Sequence, residues 1–177
     1  MKKVLLFVAV IVISAAVNAQ KTSSANPTVF SLGVEGSVPS GTFHSPLGYN
    51  FGIGGSAQVD HKISTDAAVT LNVGYINYSN PNSNPKYHFS VIPVLGGVKY
   101  WFSPKVYGSA QLGVAFNSTK ISNSSNTTYS STGFAYSPGI GFNVTKGLDL
   151  LVKYFGNSAG GATLNSFGAR LAYTFGQ

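Results

Sequence analysis

The sequence predicts an all-β fold: an eight-stranded, antiparallel, up-and-down transmembrane β-barrel. Three observations support this prediction. After residue 28 the chain divides into eight segments in which apolar and polar side chains alternate, which is the two-residue period of a β-strand. The connections between the segments are alternately short and long, as in a barrel with tight turns at one end and loops at the other. The charged residues of these segments fall on one face and leave the opposite face apolar.

The last segment, residues 166–175, shows the alternation most clearly. One face carries Phe167, Ala169, Leu171, Tyr173 and Phe175, and the other carries Gly168, Arg170, Ala172 and Thr174. A soluble sheet would have Lys and Glu on its polar face. An apolar face that ends in aromatic residues, opposite a face of small and polar residues, is instead typical of a strand with lipid outside and a polar lumen inside.

The N-terminal segment predicts export. Lys2 and Lys3 precede an apolar run at residues 4–17, and Ala19 ends a group of small residues suited to signal-peptide cleavage. This run is shorter than the ~20 residues that a membrane-spanning helix needs. We therefore expect a cleaved signal peptide at 1–19, a periplasmic leader at 20–28 and the barrel at 29–177.

The turn and strand signals assign an approximate position to each element. The strands are expected at 29–38, 48–60, 65–78, 87–102, 105–117, 132–145, 147–156 and 163–175. Short turns are expected at 61–64, 103–104 and 146–147, and longer polar loops at 39–47, 79–86, 118–131 and 157–162. Pro93 and Pro138 each remove a backbone donor, so we expect a bulge beside each of them.

Composition excludes several classes of function. The formal charge of +7 falls to +5 when Lys2 and Lys3 leave with the signal peptide, and the remaining bases form no cluster, which argues against nucleic-acid binding. The chain has no Cys, so disulfides, thiolate metal sites and thiol catalysis are excluded. No two His or acidic residues have the spacing of metal ligands. The sequence predicts no cofactor and no metal.

The charged residues of the strands predict a structural cluster inside the barrel. Alternation places seven of them on the inward face: Glu35, Asp60, Asp66, Lys99, Asp149, Lys153 and Arg170. A Lys or Arg facing lipid at mid-depth would cost ~2–4 kcal/mol, which accounts for this sorting. We expect Arg170 to lie level with Asp149 and near Glu35, with Lys153 just above them. Across the barrel, Asp66 is expected to pair with Lys99.

The outward face is predicted to be wholly apolar, with aromatic residues near both strand ends that would form two interfacial girdles. The girdle at the loop end contains Tyr49, Tyr75, Phe116, Phe134, Tyr154 and Phe167. The girdle at the turn end contains Tyr100, Phe102, Phe142, Tyr173 and Phe175.

These features together resemble a known family. Gly168, Leu171, Tyr173 and Phe175 have the spacing of the C-terminal signature of Gram-negative outer-membrane barrels, although Gly176 and Gln177 follow the last aromatic residue. The signal that ends in Asn-Ala-Gln and the segment from Ile92-Pro93-Val94 to Tyr100-Trp101-Phe102-Ser103-Pro104 add to the likeness. The chain resembles the small porin-family barrel domain, related in architecture to the OmpX, OmpA and OmpW barrels.

The resemblance implies a location and a set of partners. The protein is expected in the cell outer membrane, surrounded by lipid and lipopolysaccharide, as a monomer inserted by the barrel-assembly machinery through its C-terminal strand. The expected function is non-enzymatic: a structural or surface-interaction role through long extracellular loops. Eight strands leave an interior just wide enough for side chains to fill it, so no wide pore is expected.

Three alternatives remain open at this point. Small barrel enzymes that modify outer-leaflet lipid resemble this architecture, and His44 beside Ser45, or His88 with Ser90, would be their catalytic candidates, with Glu35 as the only nearby acid. A narrow channel for small solutes is the second alternative. A soluble lipocalin-type barrel is the third, but it would turn the apolar face inward and leave the aromatic girdles unexplained.

Overall fold

A computed structural model describes residues 28–41, 50–79, 86–122 and 127–175. They form eight antiparallel strands that pair in chain order and close into one barrel between β8 and β1. The strands are β1 Thr28–Ser40, β2 Phe51–Lys62, β3 Ala67–Ser79, β4 Lys86–Trp101, β5 Val106–Ser122, β6 Thr127–Asn143, β7 Leu148–Ala159 and β8 Ala162–Phe175. The predicted eight-stranded antiparallel barrel is confirmed.

The described part of the chain has no helix long and apolar enough to cross a membrane. The predicted signal peptide at 1–19, and the leader up to residue 27, lie outside the described residues.

The barrel has two distinct ends. The β2–β3, β4–β5 and β6–β7 connections are short turns, at residues 63–66, 102–105 and 144–147, and we call this the turn end. The opposite side, where β1 ends and β2 begins, is the loop end. The three short turns lie within one or two residues of their predicted positions, because turn-forming residues mark them: Ser64 and Asp66 in the first, Pro104 in the second and Gly147 in the third.

Two of the predicted loops are wrong. Residues 118–131 were expected to form a loop, but β5 continues to Ser122 and β6 begins at Thr127. Thr119, Ile121, Thr128 and Tyr129 favour strands, but they are interspersed with Ser and Asn, so hydropathy concealed this extension. Residues 157–162 form a tight turn in which Gly160 and Gly161 have φ angles of 59° and 82°. A two-residue hairpin with a type I′ turn requires positive φ at both central residues, and glycine adopts such angles readily.

The two strand prolines interrupt pairing but do not change the register. The β3–β4 pairing stops beside Pro93 and resumes in the same register, and the β6–β7 pairing does so beside Pro138. On their other sides Pro93 remains opposite Ala115 and Pro138 remains opposite Ala110. The predicted bulges are therefore wrong. A closed barrel holds each strand from both sides, so a missing donor is accommodated without an inserted residue.

The register defines the size of the barrel. Pairing followed from strand to strand passes through Phe30, Val59, Leu71, Gly96, Leu112, Tyr136, Gly156, Asn165 and Ser40. One circuit thus begins at Phe30 and returns to β1 at Ser40, ten residues further along. For eight strands this shift corresponds to a strand tilt of about 40° and a narrow interior.

The two faces of the wall differ as predicted. The exposed large hydrophobic side chains include Leu32, Val34, Ile53, Leu71, Val98, Leu112, Ile140, Val152 and Leu171. Outward aromatic rings contact one another in two groups, Phe134–Tyr136–Tyr154–Phe167 and, at the turn end, Tyr100–Phe102 and Phe30–Phe175–Tyr173. Tyr49, also predicted for a girdle, lies outside the described residues.

Candidate functional site

The candidate site is the barrel interior, where six charged side chains are buried. We call this set the charged cluster: Glu35, Asp60, Lys99, Asp149, Lys153 and Arg170. Strand alternation turns all six inward from β1, β2, β4, β7 and β8. The set contains three acids and three bases, so it carries no formal net charge. A narrow interior can hold charged groups only when they balance and form hydrogen bonds.

Glu35 and Arg170 are directly opposite each other in the β1–β8 pairing. Lys153 Nζ lies 2.8 Å from Glu35 Oε2, and Arg170 Nε lies 4.0 Å from Glu35 Oε1. Arg170 Nη1 is also 3.8 Å from Asp149 Oδ1. The guanidinium therefore lies between two carboxylates, and Lys153 places a second positive charge beside Glu35.

Arg170 is the most enclosed member of the cluster, with 1% of its side chain exposed. Its Nε donates to Ser56 Oγ at 2.8 Å, and its Nη2 donates to Ser31 Oγ at 3.0 Å. These two serines belong to β1 and β2, so Arg170 joins the closing strand to the first two strands. Only a planar group with several fixed donors can make all of these contacts at once.

A second ion pair lies closer to the turn end. Lys99 Nζ is 2.8 Å from Asp60 Oδ2, and Gln58 Nε2 donates to Asp60 Oδ1 at 2.8 Å. The Lys99 ammonium also lies 4.7 Å from the centre of the Tyr107 ring, and the Tyr107 hydroxyl donates to Asp149 Oδ2 at 2.7 Å. Tyr107 thus links this pair to the Arg170 group.

The predicted pairing of Asp66 with Lys99 is wrong. Asp66 is exposed in the β2–β3 turn, where its side chain accepts a hydrogen bond from Thr65 Oγ1 at 3.2 Å. β3 begins one residue later, at Ala67, and the register puts Ala68 opposite Lys99. Alternation extended one residue past the end of a strand therefore assigned Asp66 to the wrong environment. Asp60, an inward residue of β2, is the partner of Lys99.

The prediction that Asp149 lies level with Arg170 in the strand pairing also needs a correction. Asp149 is opposite Ala172, and Arg170 is opposite Leu151, so the two charged residues are two positions out of line. The long Arg170 side chain spans that offset. Glu35 is directly opposite Arg170 in the β1–β8 pairing. Lys153 is opposite Gly168 in the β7–β8 pairing, and its Nζ lies 2.8 Å from Glu35 Oε2.

Neutral polar side chains fill the space around the charges. Gln58 Oε1 accepts hydrogen bonds from Asn72 Nδ2 at 3.2 Å and from Gln111 Nε2 at 3.3 Å, and Gln111 also donates to Thr70 Oγ1 at 3.0 Å. These residues come from β2, β3 and β5, so the network crosses the lumen and leaves its middle occupied by side chains.

The loop-end half of the interior contains an unpredicted apolar cluster, beside buried polar residues such as Asn117, Asn157 and Ser166. We call this cluster the apolar plug: Ile76, Tyr78, Phe89, Val91, Leu95, Ala115, Ala135 and Phe155, with Leu164 packed against it. The signal in the sequence was residues 89–95, which are apolar on both faces. The inward side chains therefore form two layers of different character: the charged cluster toward the turn end and the apolar plug toward the loop end.

The described catalytic candidates do not assemble into a triad. His88 is exposed on the outer face of β4, whereas Glu35 is buried inside and paired with Lys153. Ser90 is hydrogen-bonded to the Tyr75 hydroxyl at 3.1 Å and to Asn77 Nδ2 at 2.9 Å. His44 and Ser45 lie outside the described residues. Within the described ranges, no group of three or more His, Cys, Asp or Glu side chains could hold a metal ion.

Comparison with known families gives the identity of the fold. The model of the outer-membrane protein β-barrel domain matches residues 5–175. The chain belongs to this family. The protein is therefore located in the cell outer membrane, as predicted, and its outward face contacts lipid. Short turns face the periplasm in such barrels, so the turn end is periplasmic and the loop end extracellular. None of the curated proteins matches the sequence significantly.

Several solved outer-membrane barrels have a similar fold. The attachment invasion locus protein Ail of Yersinia pestis is 18% identical, covers 84% of this chain and 97% of its own, and superposes with a TM-score of 0.64. The Neisserial surface protein NspA is 15% identical with coverages of 85% and 99% and a TM-score of 0.60. The N-terminal barrel domain of Pseudomonas aeruginosa OprF is 14% identical with coverages of 83% and 97% and a TM-score of 0.58. At these identities the likeness shows the fold alone.

Proposed function

We propose that this protein is a non-enzymatic outer-membrane barrel that binds a polypeptide partner at the cell surface, through an open strand edge on β6. The closed barrel serves as its anchor. The observation that carries the proposal is the length of the β5–β6 hairpin relative to β7. β5 and β6 pair as far as Ile121 and Thr127, but the β6–β7 pairing begins only at Phe134, opposite Ser158. Residues 127–132 of β6 thus have a partner strand on one side only, whereas Gly133 still lies against Ser158 and Ala159 of β7.

The composition of this edge supports strand addition. Thr128, Tyr129, Ser130, Ser131 and Thr132 are all exposed, and none of them is charged or proline. Edge strands are normally protected from pairing by Lys, Pro or a bulge, and this segment has none of these within its own sequence. Thr and Tyr also favour the extended conformation. An extended peptide can therefore add to β6 by main-chain hydrogen bonds, which is a common mode of recognition.

The strand prolines indicate which backbone groups are free. Pro138 has no N–H, and it interrupts pairing with β7 while leaving pairing with β5 intact. N–H groups alternate between the two sides of a strand. The N–H groups of Ser130 and Thr132, which lie an even number of residues from Pro138, therefore point to the open side. That of Ser131 points toward β5.

The neighbouring strand β5 adds positive charge to the same outer face. Lys120 is opposite Thr128, and His88 is opposite Lys120. Lys120 is exposed on the strand next to the edge, so its positive charge favours a partner segment carrying acidic residues. Ail has been solved with the heparin analogue sucrose octasulfate, which makes a sulfated glycan the alternative ligand to test here.

The interior supports the role of an anchor. The charged cluster and the apolar plug each occupy the lumen, which argues against both a wide pore and a narrow channel. The separation of His88 from Glu35 argues against a lipid-modifying enzyme. We further propose that residues 1–19 are removed as a signal peptide and that the barrel is inserted as a monomer through β8, whose Leu171, Tyr173 and Phe175 face outward.

Peptide selection tests this proposal. A displayed library of extended peptides would be selected against the whole protein in lipid nanodiscs, and binding would be measured for the native chain, Ser130→Pro and Ser130→Thr. Proline at 130 removes an open-edge donor without breaking a bond to β5. We expect Ser130→Pro to abolish binding and Ser130→Thr to retain it. Equal binding to both variants would contradict the proposal, as would binding of the sulfated glycan and of no peptide.

A further inference from the structure

A groove crosses the outward surface of β4 to β7 in the periplasmic half of the barrel, with a volume of about 880 Å³. Its floor is formed by small outward residues. Gly108 and Ala110 are successive outward positions of β5, and Pro138 of β6 is directly opposite Ala110. The surrounding outward positions carry larger side chains, among them Val98, Ile140 and Val152.

Aromatic residues limit the groove at both ends. Tyr100, Phe102 and Phe142 line it near the periplasmic turns, and Tyr154 and Phe167 line its other end. The Phe102 ring lies beside Gly108, where a Cβ atom would come within 3.0 Å of Phe102 Cζ. An apolar depression with aromatic side chains at both ends, on a surface that contacts hydrocarbon, suits one acyl chain lying along it.

Two lysines stand at the periplasmic end of the groove. Lys105 is in the β4–β5 turn and Lys146 is in the β6–β7 turn, and both are exposed. The two turns are adjacent, because the backbone N–H of Asn143 donates to the Lys105 carbonyl at 2.8 Å. The exposed acid at this end, Asp66, belongs to the β2–β3 turn. Two ammonium groups beyond an apolar groove match a phosphate head group attached to a hydrocarbon chain.

We propose that this groove binds one anionic phospholipid of the periplasmic leaflet. One acyl chain lies over Gly108, Ala110 and Pro138, and the phosphate lies between Lys105 and Lys146. The site is separate from the β6 edge, which is at the opposite end of the barrel, so it adds a lipid ligand to the surface role proposed above. Small floor residues are required because a larger side chain would occupy the space of the chain.

Native mass spectrometry of the detergent-solubilised protein, titrated with phosphatidylglycerol, tests the proposal. The native chain should retain one lipid. Ala110→Leu should weaken its binding about tenfold, since the added side chain displaces part of the buried hydrocarbon. Lys105→Gln and Lys146→Gln should each weaken it roughly fivefold, with a smaller effect on phosphatidylcholine. The matched controls are Ala57→Leu, an outward residue of β2, and Lys120→Gln at the extracellular end. Both should bind as the native chain does.

Three results would overturn the proposal. The first is that Ala110→Leu binds lipid as tightly as the native chain does. The second is that Ala57→Leu loses lipid as fully as Ala110→Leu, which would show general detergent exchange and no site. The third is that the native protein sediments as a dimer and Ala110→Leu as a monomer, which would assign the groove to a second copy of the chain. Circular dichroism of each variant separates these results from failure to fold.

Discussion

Lys153 Nζ lies 2.8 Å from Glu35 Oε2 inside the barrel, and both side chains are more than nine-tenths buried. The two residues come from β7 and β1, which are not neighbours in the wall, so this ion pair connects strands on either side of β8. A buried ion pair of this kind stabilises a protein little more than apolar residues of the same shape would. Removal of one partner is costly, however, because it leaves the other charge buried and uncompensated. The energetic role of the charged cluster follows from that asymmetry.

The first prediction concerns this pair. Lys153→Met should lower the free energy of unfolding by ~3–5 kcal/mol, because the buried Glu35 carboxylate would lose its 2.8 Å ion pair and keep Arg170 as a cation at 4.0 Å. The double variant Glu35→Leu with Lys153→Met should recover part of that loss. Urea unfolding in lipid bilayers measures both. If the loss of unfolding free energy in the double variant equals the sum of the losses in Glu35→Leu and Lys153→Met, the two residues do not interact.

Replacement of Arg170 should have the widest effect on the cluster. Arg170→Ala removes the cation between Glu35 and Asp149 and the hydrogen bonds to Ser31 and Ser56, so we expect a loss of ~3–5 kcal/mol. Arg170→Lys should recover only part of it, because an ammonium cannot reproduce the fork of donors. An unchanged urea midpoint for Arg170→Ala would rule out the structural role of the cluster.

The corrected partner of Lys99 gives a matched pair of substitutions. Asp60→Asn should destabilise the barrel by ~2–4 kcal/mol, because it leaves the Lys99 ammonium buried without its carboxylate. Asp66→Asn should change stability by less than about 0.5 kcal/mol, since that residue is exposed in a turn. The same unfolding assay compares them. A larger loss of stability for Asp66→Asn than for Asp60→Asn would indicate that Asp66, and not Asp60, pairs with Lys99.

The apolar plug predicts a separation of stability from conductance. Phe155→Ala should lower the free energy of unfolding by ~3–5 kcal/mol through the cavity it leaves. Planar-bilayer recordings of the same variant should still show no stable conductance, because the charged cluster below the plug continues to fill the lumen. A stable channel in this variant would mean that the charged cluster alone does not close the barrel.

Much of this structure could be predicted from the sequence because a strand between lipid and a polar interior has a strict two-residue period. A shift of one residue would place Lys153 or Arg170 in hydrocarbon, so alternation identified both the outward face and all six members of the charged cluster. Alternation misassigns a residue where a strand ends. Asp66 follows the pattern of β3 but precedes its first residue, and no feature of the alternation marks that boundary.

Other features depend on packing and on relative strand length. The apolar plug was missed because residues 89–95 violate the alternation, and a polar lumen was assumed. The open edge of β6 was missed because it exists only where β7 ends early, at the Gly160–Gly161 turn. The sequence pattern of β6 does not show where the neighbouring strand β7 ends. The polar residues 118–131 therefore resembled a loop.

The open edge of β6 is the central claim, and amide hydrogen exchange measured by NMR on the whole protein in lipid nanodiscs tests it most directly. In the free protein the amides of Ser130 and Thr132 should exchange rapidly, while that of Ser131, bonded to β5, should be protected. A selected peptide should then protect Ser130 and Thr132 as well. Protection of all three amides before any peptide is added, or rapid exchange at Ser130 and Thr132 in the saturated complex, would contradict the account.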